Sequence, residues 1–224
     1  WMLARLGRRK PRSLLDNRPL GDLLTRMLDF PALADHLRQG AVQALAISAS
    51  SYTTGQHITF YQAAYEIERW RRTQRLACRT TLTVDHLLAS SAIPFVFPAH
   101  RVPVFGHAEG CGDGSMRQLA PISPAIHLGA NKVLVIGAGR MHEPARVAPA
   151  SSAYPSVAQI AGHALSNIFL DSLAVDVERL ERINQTLTLL PADRRGHSGL
   201  RPVKVLVIAP SQRLDDIASR HTAS

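Results

Sequence analysis

Asp113 sits between two glycines, in Gly112-Asp113-Gly114-Ser115, and Met116-Arg117-Gln118-Leu119-Ala120-Pro121 follows directly. Glycine reaches backbone angles closed to other residues and lets the chain pass close to a ligand. A carboxylate mounted this way can stand at the mouth of a site and take a proton from a hydroxyl, the work of a general base. The same tetrapeptide alone also describes a surface turn, since Asp and Gly are the commonest turn residues. Other chemistry is sparse. No Gly-x-Ser-x-Gly nucleophile elbow is present, and that elbow is what exposes a hydrolase serine on a strained strand-to-helix turn. Ser90 and Ser91 lie within a helical pattern without flanking glycines, and Ser48, Ser50 and Ser51 lie near a predicted strand end. Ser115 is two positions along the loop from Asp113 and belongs to the motif rather than acting as a nucleophile. Cys111 reads as a small wall residue more than as a reactive thiol.

His100 and His107 flank the approach to Asp113 as candidate ligands or bases, yet the ten histidines show no His-Glu-x-x-His and no ligand spacing. No metal site is expected. There is no Gly-x-x-x-x-Gly-Lys, and Gly137-Ala138-Gly139 is too short for a dinucleotide fingerprint, so no cofactor is expected. Pro94, Phe95, Val96 and Phe97 form an apolar cluster ahead of Pro98. It suits core packing, or the wall of an acyl-chain pocket with Pro94, Phe95 and Phe97 as substrate-binding residues.

Elements that would position these residues follow from pattern. Pro31 to Gln39 predicts a short helix, with Pro31 at its first position and Gly40 past its end. Ala41 to Ser48 and His57 to Tyr61 predict strands separated by a turn over Ser50 to Gln56. Val84 to Ala92 predicts a helix capped by Thr83 and stopped by Pro94. Ser123 and Pro124 open another helix that Gly129 closes. Lys132-Val133-Leu134-Val135-Ile136-Gly137 and its twin Val203 to Ile208 are continuous β-branched runs, the pattern of strands covered on both faces. Between them, apolar residues from Val157 to Leu187 follow helical spacing over Ser156 to Leu190. Pro144 to Pro155 reads as a loop, and Ser211 can cap a last helix, Gln212 to Arg220. Buried strands separated by helices predict an α/β layered domain with a mainly parallel sheet. Sites in such sheets lie at the carboxyl ends of strands, where Asp113 is expected.

The 224 residues fit one domain, and 46% hydrophobic with 19% charged residues describe a globular chain. No apolar run approaches the roughly 20 residues needed to span a bilayer, and no signal peptide is evident. Two cysteines, Cys78 and Cys111, make no disulfide framework, which suits a reduced, cytoplasmic setting. The net charge of +9 is carried mostly by arginine, clustered at Arg5 to Arg12 and Arg69 to Arg79. No zinc-finger spacing or aromatic-interleaved basic stripe points to nucleic acid. The charge suits a solvated surface, or peripheral contact with an anionic membrane.

Together these residues resemble the patatin-like phospholipase family. The likeness runs from about Leu14 to Ala218. It is carried by Asp16-Asn17-Arg18-Pro19-Leu20, by Thr54-Gly55-Gln56 followed by Phe60, and by Ala89-Ser90-Ser91-Ala92-Ile93-Pro94 with Phe97-Pro98. Gly112-Asp113-Gly114-Ser115 and Pro121 through Ala130 leading into Val133 complete it. The resemblance implies a three-layer α/β/α fold and a Ser–Asp catalytic dyad without histidine, acting on glycerolipid or phospholipid esters. Asp113 matches the dyad aspartate. The family's serine elbow and glycine-rich oxyanion loop lie upstream of these matches and are missing here. The chain, 1–224, therefore looks like about the later two-thirds of a single such domain, truncated at its N-terminus, with residues 1–13 as a basic lead-in. On that expectation the chain alone is inert. The alternative is a non-catalytic lipid- or membrane-binding module of the same fold.

Overall fold

The computed structural model describes residues 12–68, 70–72, 74–118, 120–137, 173–191 and 199–212. Most of the basic lead-in, the 144–155 loop, the 156–172 part of the long helical pattern and nearly all of the predicted 212–220 helix lie outside these residues. The chain divides into two compact units, Trp1–Gln118 and Leu119–Ser224, each mixed α/β.

The first unit holds helices α1 (Arg18–Met27), α2 (Leu33–Arg38) and α3 (Val84–Ser90). Its strands are β1 (Ala44–Ser51), β2 (His57–Ala63), β3 (Arg71–Arg72), β4 (Arg75–Arg79), β5 (His100–Val104) and β6 (His107–Asp113), in one sheet of order β3-β4-β2-β1-β6-β5. Pairing is antiparallel for β1–β2, β1–β6, β3–β4 and β5–β6, and parallel only for β2–β4. The mainly parallel sheet predicted from the sequence is thus corrected to a mostly antiparallel one. Connection length is the cause. The β1–β2 turn spans Tyr52 to Gln56, closed by Ser51 N–H to the Gln56 carbonyl at 2.9 Å. The β5–β6 turn is Phe105-Gly106, both at positive φ (47° and 85°), as a two-residue hairpin of type I′ requires. Neither turn is long enough for the crossover that parallel neighbours need.

The core on one face of this sheet joins Ile47, Ala49, Ile58, Phe60, Cys78 and Cys111 to Leu33, Leu37, Leu82 and Ala89 from the helical side. Helix α2 ends where the sequence places it, with Gly40 at φ 75°, the left-handed cap position that glycine takes at little cost. Helix α3 starts at the predicted cap. Thr83 N–H donates to His86 Nδ1 at 3.1 Å, so the His86 ring reaches back over the first turn. His86 is buried and meets Phe60 edge-on at 4.8 Å between centroids.

The second unit holds α4 (Ser123–His127), β7 (Lys132–Ile136), α5 (Leu173–Leu189) and β8 (Lys204–Ile208), with β7 and β8 paired in parallel from Lys132↔Lys204 to Ile136↔Ile208. Helix α4 begins at Ser123 itself, with Ile122 before it as the cap residue, one position from the expectation. Leu173, Val177 and Leu180 of α5 pack with Val133, Val135, Val205 and Val207. Asp176, buried, accepts the Ile122 N–H at 3.0 Å, and Asn184 holds the Val203 backbone at both its N–H (3.0 Å) and its carbonyl (2.8 Å). The two β-branched runs do not lie covered on both faces. Leu134, Ile136, Leu206 and Ile208 alternate with the packed valines and are exposed; among the described residues, α5 and the residues before α4 cover the valine side of this ribbon.

The His86 ring carries cap and core at once. His86→Ala should lower stability by about 3 kcal/mol, since it leaves a ring-sized void and removes the cap contact. The urea unfolding midpoint reads it, and a loss under about 1 kcal/mol would show that neither role matters.

Candidate active site

Asp113 is the last residue of β6 and the first capping residue of a 3₁₀ turn over Gly114–Arg117. Its position is fixed from three sides. It lies in register with Ala49 of β1. Its N–H donates to the Ala92 carbonyl, 3.0 Å, just past α3. Its Oδ1 accepts both the Ser115 N–H (2.8 Å) and the Ser115 hydroxyl (2.7 Å), an Asx-type turn closed on itself. Among the described residues, Oδ2 accepts nothing. The carboxylate is half-buried.

The two glycines are needed for space rather than for unusual angles, because neither takes a positive φ. A Cβ on Gly114 would lie 2.4 Å from the Ser48 carbonyl oxygen, and one on Gly112 would lie 2.3 Å from the Tyr52 hydroxyl. Real Cβ atoms do not approach so closely, so the turn after Asp113 presses on the β1 backbone and the Tyr52 ring lies over Gly112. Burial raises the Tyr52 pKa first, and the nearby Asp113 and Cys111 add to the shift. Nothing in the spacing of the sequence singles out Tyr52.

His57 is the second residue that sequence reasoning missed. It opens β2 and is buried, with its Nδ1 lacking any partner among the described residues. Burial pushes its imidazole down to about 4; a hydrogen bond to the Gly114 backbone opposes the shift and Arg75 adds to it. His57 pairs with Ser50, whereas Asp113 pairs with Ala49. Opposed residues share a sheet face and successive residues alternate. His57 and Asp113 therefore belong to opposite faces, and His57 does not stand as a triad histidine to Asp113.

The other candidates disperse. Ser91 donates its hydroxyl to the Leu87 carbonyl at 2.9 Å, the ordinary backbone bond of a helix serine, and Ser90 ends α3. Ser51 donates to Glu109 Oε2 at 2.9 Å, Ser50 is buried, and Ser48 offers its carbonyl to the Gly114 contact. His100 Nε2 is tied to Asp85 Oδ1 at 2.8 Å, and His107 is exposed at the β5–β6 turn. Cys111 is fully buried and its thiol is pushed up to about 11, first by burial and then by Glu109. That matches a small wall residue and removes it as a nucleophile. No group of three or more metal-ligating side chains occurs among the described residues.

Pro94 and Phe97 are half-buried, and Phe95 is 72% exposed. A cavity of about 280 Å³ in this unit is walled instead by Phe30, Leu33, Leu45, Ile47 and Leu87. A larger one, about 740 Å³, lies among Gly21, Met27, Pro31, Thr83 and Leu88. Leu45 and Ile47 share the β1 face of Ala49, and so the side of Asp113. At about 3.3 Å per residue, Ile47 lies roughly 7 Å along the strand from the position opposite Asp113.

Comparison with protein-family models, with curated proteins and with solved structures finds no match.

The glycine contacts differ in what they meet. Gly114→Ala pushes on backbone and should cost about 2–3 kcal/mol, whereas Gly112→Ala meets a half-exposed ring that can swing away and should cost under about 1 kcal/mol. Denaturant titration of both variants checks the order. For His57 the folded pKa lies below the ordinary unfolded value near 6.5. The unfolded chain then takes up a proton that the folded chain refuses. Stability should fall as pH drops from about 6.5 to about 4, by on the order of 3 kcal/mol, and level off below. His57→Leu should flatten that window, and an unchanged acid limb would remove His57 as its source.

Proposed function

We propose that this chain carries the base-bearing part of a patatin-like serine acyl hydrolase with a three-layer α/β/α fold. In this proposal Asp113 accepts the proton of a serine supplied from outside these 224 residues, and the substrate is a glycerolipid or phospholipid ester. The observation that carries it is the asymmetry of one carboxylate. Oδ1 is fully engaged by Ser115, Oδ2 is unengaged among the described residues, and the side chain ends a strand half-open to solvent. A base needs an unoccupied oxygen within about 2.6–3.2 Å of the hydroxyl it serves, and Oδ2 has that freedom.

The sheet leaves room for such a serine. On its β6 side, β1 is paired only over Ala49–Ser51, where β6 ends. The Ala44–Ser48 edge on that side has no strand neighbour among the described residues. An unpaired edge is a template for another strand. A strand laid there parallel to β1 would finish level with Ala49, so its carboxyl end would meet Asp113 head-on. The apolar cavity at Leu45 and Ile47 lies on that same face and suits the acyl chain of the ester better than the exposed Phe95 does. The serine would attack the ester carbonyl, lose its proton to Oδ2, and form an acyl-enzyme that water then clears.

Among the described residues, Ser115 is the serine hydrogen-bonded to the Asp113 carboxylate, and its bond to Oδ1 is a cap rather than an activation, because its own N–H shares that oxygen. Asp113→Asn in the protein with its upstream sequence should lower ester hydrolysis at least about a hundredfold while the unfolding midpoint stays put. Ser115→Ala should keep most of the activity, and the 224-residue chain alone should have none. Turnover that survives Asp113→Asn, or that vanishes in Ser115→Ala as completely as in Asp113→Asn, sinks the assignment. Full hydrolysis by the isolated chain places the nucleophile within it and does the same. Lipid binding without any hydrolysis in the longer protein would instead favour the non-catalytic lipid module.

A further inference from the structure

Ser50 and His57 stand directly opposite each other across β1 and β2, so their side chains lie side by side on one face of the sheet. The same row continues to Gly112 of β6 on one side and to Arg75 of β4 on the other. Both residues are almost sealed from solvent, Ser50 at 3% and His57 at 4% exposure. Yet Ser50 Oγ and His57 Nδ1 have no hydrogen-bond partner among the described residues. A single buried polar atom without a partner costs stability. Two of them, on neighbouring side chains of one row, mark a place where a small polar molecule completes both.

The chemistry of the pair says which molecule. Burial keeps the His57 ring neutral, and its bond to the Gly114 backbone favours the protonated form, so the ring donates there. Because Nδ1 is the nitrogen without a partner, that donation comes from Nε2, and Nδ1 is left as an acceptor. An acceptor needs a donor opposite it, which rules out an anion. A cation is disfavoured by Arg75, whose charge already bears on the ring. A neutral molecule that can both donate and accept remains, and the Ser50 hydroxyl can meet it in either sense. Opposed side chains spring from Cβ atoms about 4.5–5.5 Å apart, a gap that one water with two bonds of about 2.8 Å each spans. Tyr52, whose hydroxyl lies 2.3 Å from where a Gly112 Cβ would be, closes the row at that end.

We propose that Ser50 and His57 hold one internal water molecule between them, and that this bridge braces the turn carrying Asp113 from the far face of the sheet. The path is short. The water fixes the Nδ1 side of the ring, Nε2 holds the Gly114 backbone, and Gly114 follows Asp113 in the chain. Ser50 and His57 are then positioning residues that act through Gly114. The water site stands independently of the hydrolase assignment, whereas its effect on turnover rests on that assignment.

Oxygen-17 relaxation dispersion of the solvent counts long-lived internal waters without interference from hydroxyl proton exchange. In the 224-residue chain, Ser50→Ala should remove one such water. Ser91→Ala, at a helix serine bonded to the Leu87 carbonyl, should remove none. Thermal unfolding gives a second reading, because its sign differs between the two cases. Removing a hydroxyl that has no partner raises the melting temperature, whereas removing one that holds a water should lower it by about 2–4 °C. In a His57→Phe background, where one partner of the water is gone, Ser50→Ala should cost nothing further. An unchanged water count, a melting temperature that does not fall, or full additivity with His57→Phe each overturn the water site. In the protein with its upstream sequence, Ser50→Ala should lower kcat about fivefold at unchanged KM, as loss of positioning does. A kcat that stays put while Asp113→Asn abolishes turnover overturns the brace. Turnover that survives Asp113→Asn overturns the base assignment instead, and the water count then decides the site alone.

Discussion

One close approach governs the neighbourhood of Asp113, the passage of Gly114 over the Ser48 carbonyl. With a Cβ 2.4 Å from that oxygen excluded, the chain can turn directly after β6 and stay against β1. The turn then caps itself through Ser115 and Asp113 Oδ1, and this leaves Oδ2 unengaged among the described residues. The same approach brings the Gly114 backbone to the His57 ring on the far face. Shifting Gly114 outward would disturb the carboxylate, the 3₁₀ turn and the buried imidazole together.

The two faces of the sheet treat ionisable groups differently. On the Asp113 side the carboxylate is half-open, and its bonds are local to its own turn. On the His57 side burial is deep and one ring nitrogen is left without a partner among the described residues, a cost of the kind buried polar groups incur. The buried imidazole, held at low basicity by its burial, faces away from the carboxylate. His57 and Asp113 thus share no face of the sheet.

Much of the local structure was legible from residue types. Gly40 and Gly129 mark helix ends with positive φ, Thr83 marks the start of α3, and the two Lys-Val-Leu-Val-Ile runs are strands. These features depend on neighbours within a few residues, where sterics and capping act. The direction of pairing was less legible. Apolar β-branched runs suggest parallel strands, but pairing sense is decided by connection length and by which strands meet. Burial was misjudged for the same reason: Leu134 and Leu206 look like core residues, and only the number of layers packed on the ribbon determines that they face out. Phe95 is the sharpest case. Its sequence context is that of a packed aromatic, while bonds from Leu14 and Leu15, some eighty residues earlier in the chain, hold it in the open.

The sequence by itself marked Asp113 as part of a small-residue turn, because Gly and Asp are the commonest turn residues; the strand that this turn ends, β6, belongs to an antiparallel hairpin that the sequence pattern did not predict. It also determined that no metal-ligand or dinucleotide pattern was available to share the work. Only the tertiary structure decided which oxygen of Asp113 is spoken for, which face His57 occupies, and that Tyr52 lies over Gly112. Those facts depend on register across β1, β2 and β6, and the β1–β6 register is set by contacts between residues some sixty positions apart, such as Ala49 with Asp113, which no local pattern encodes.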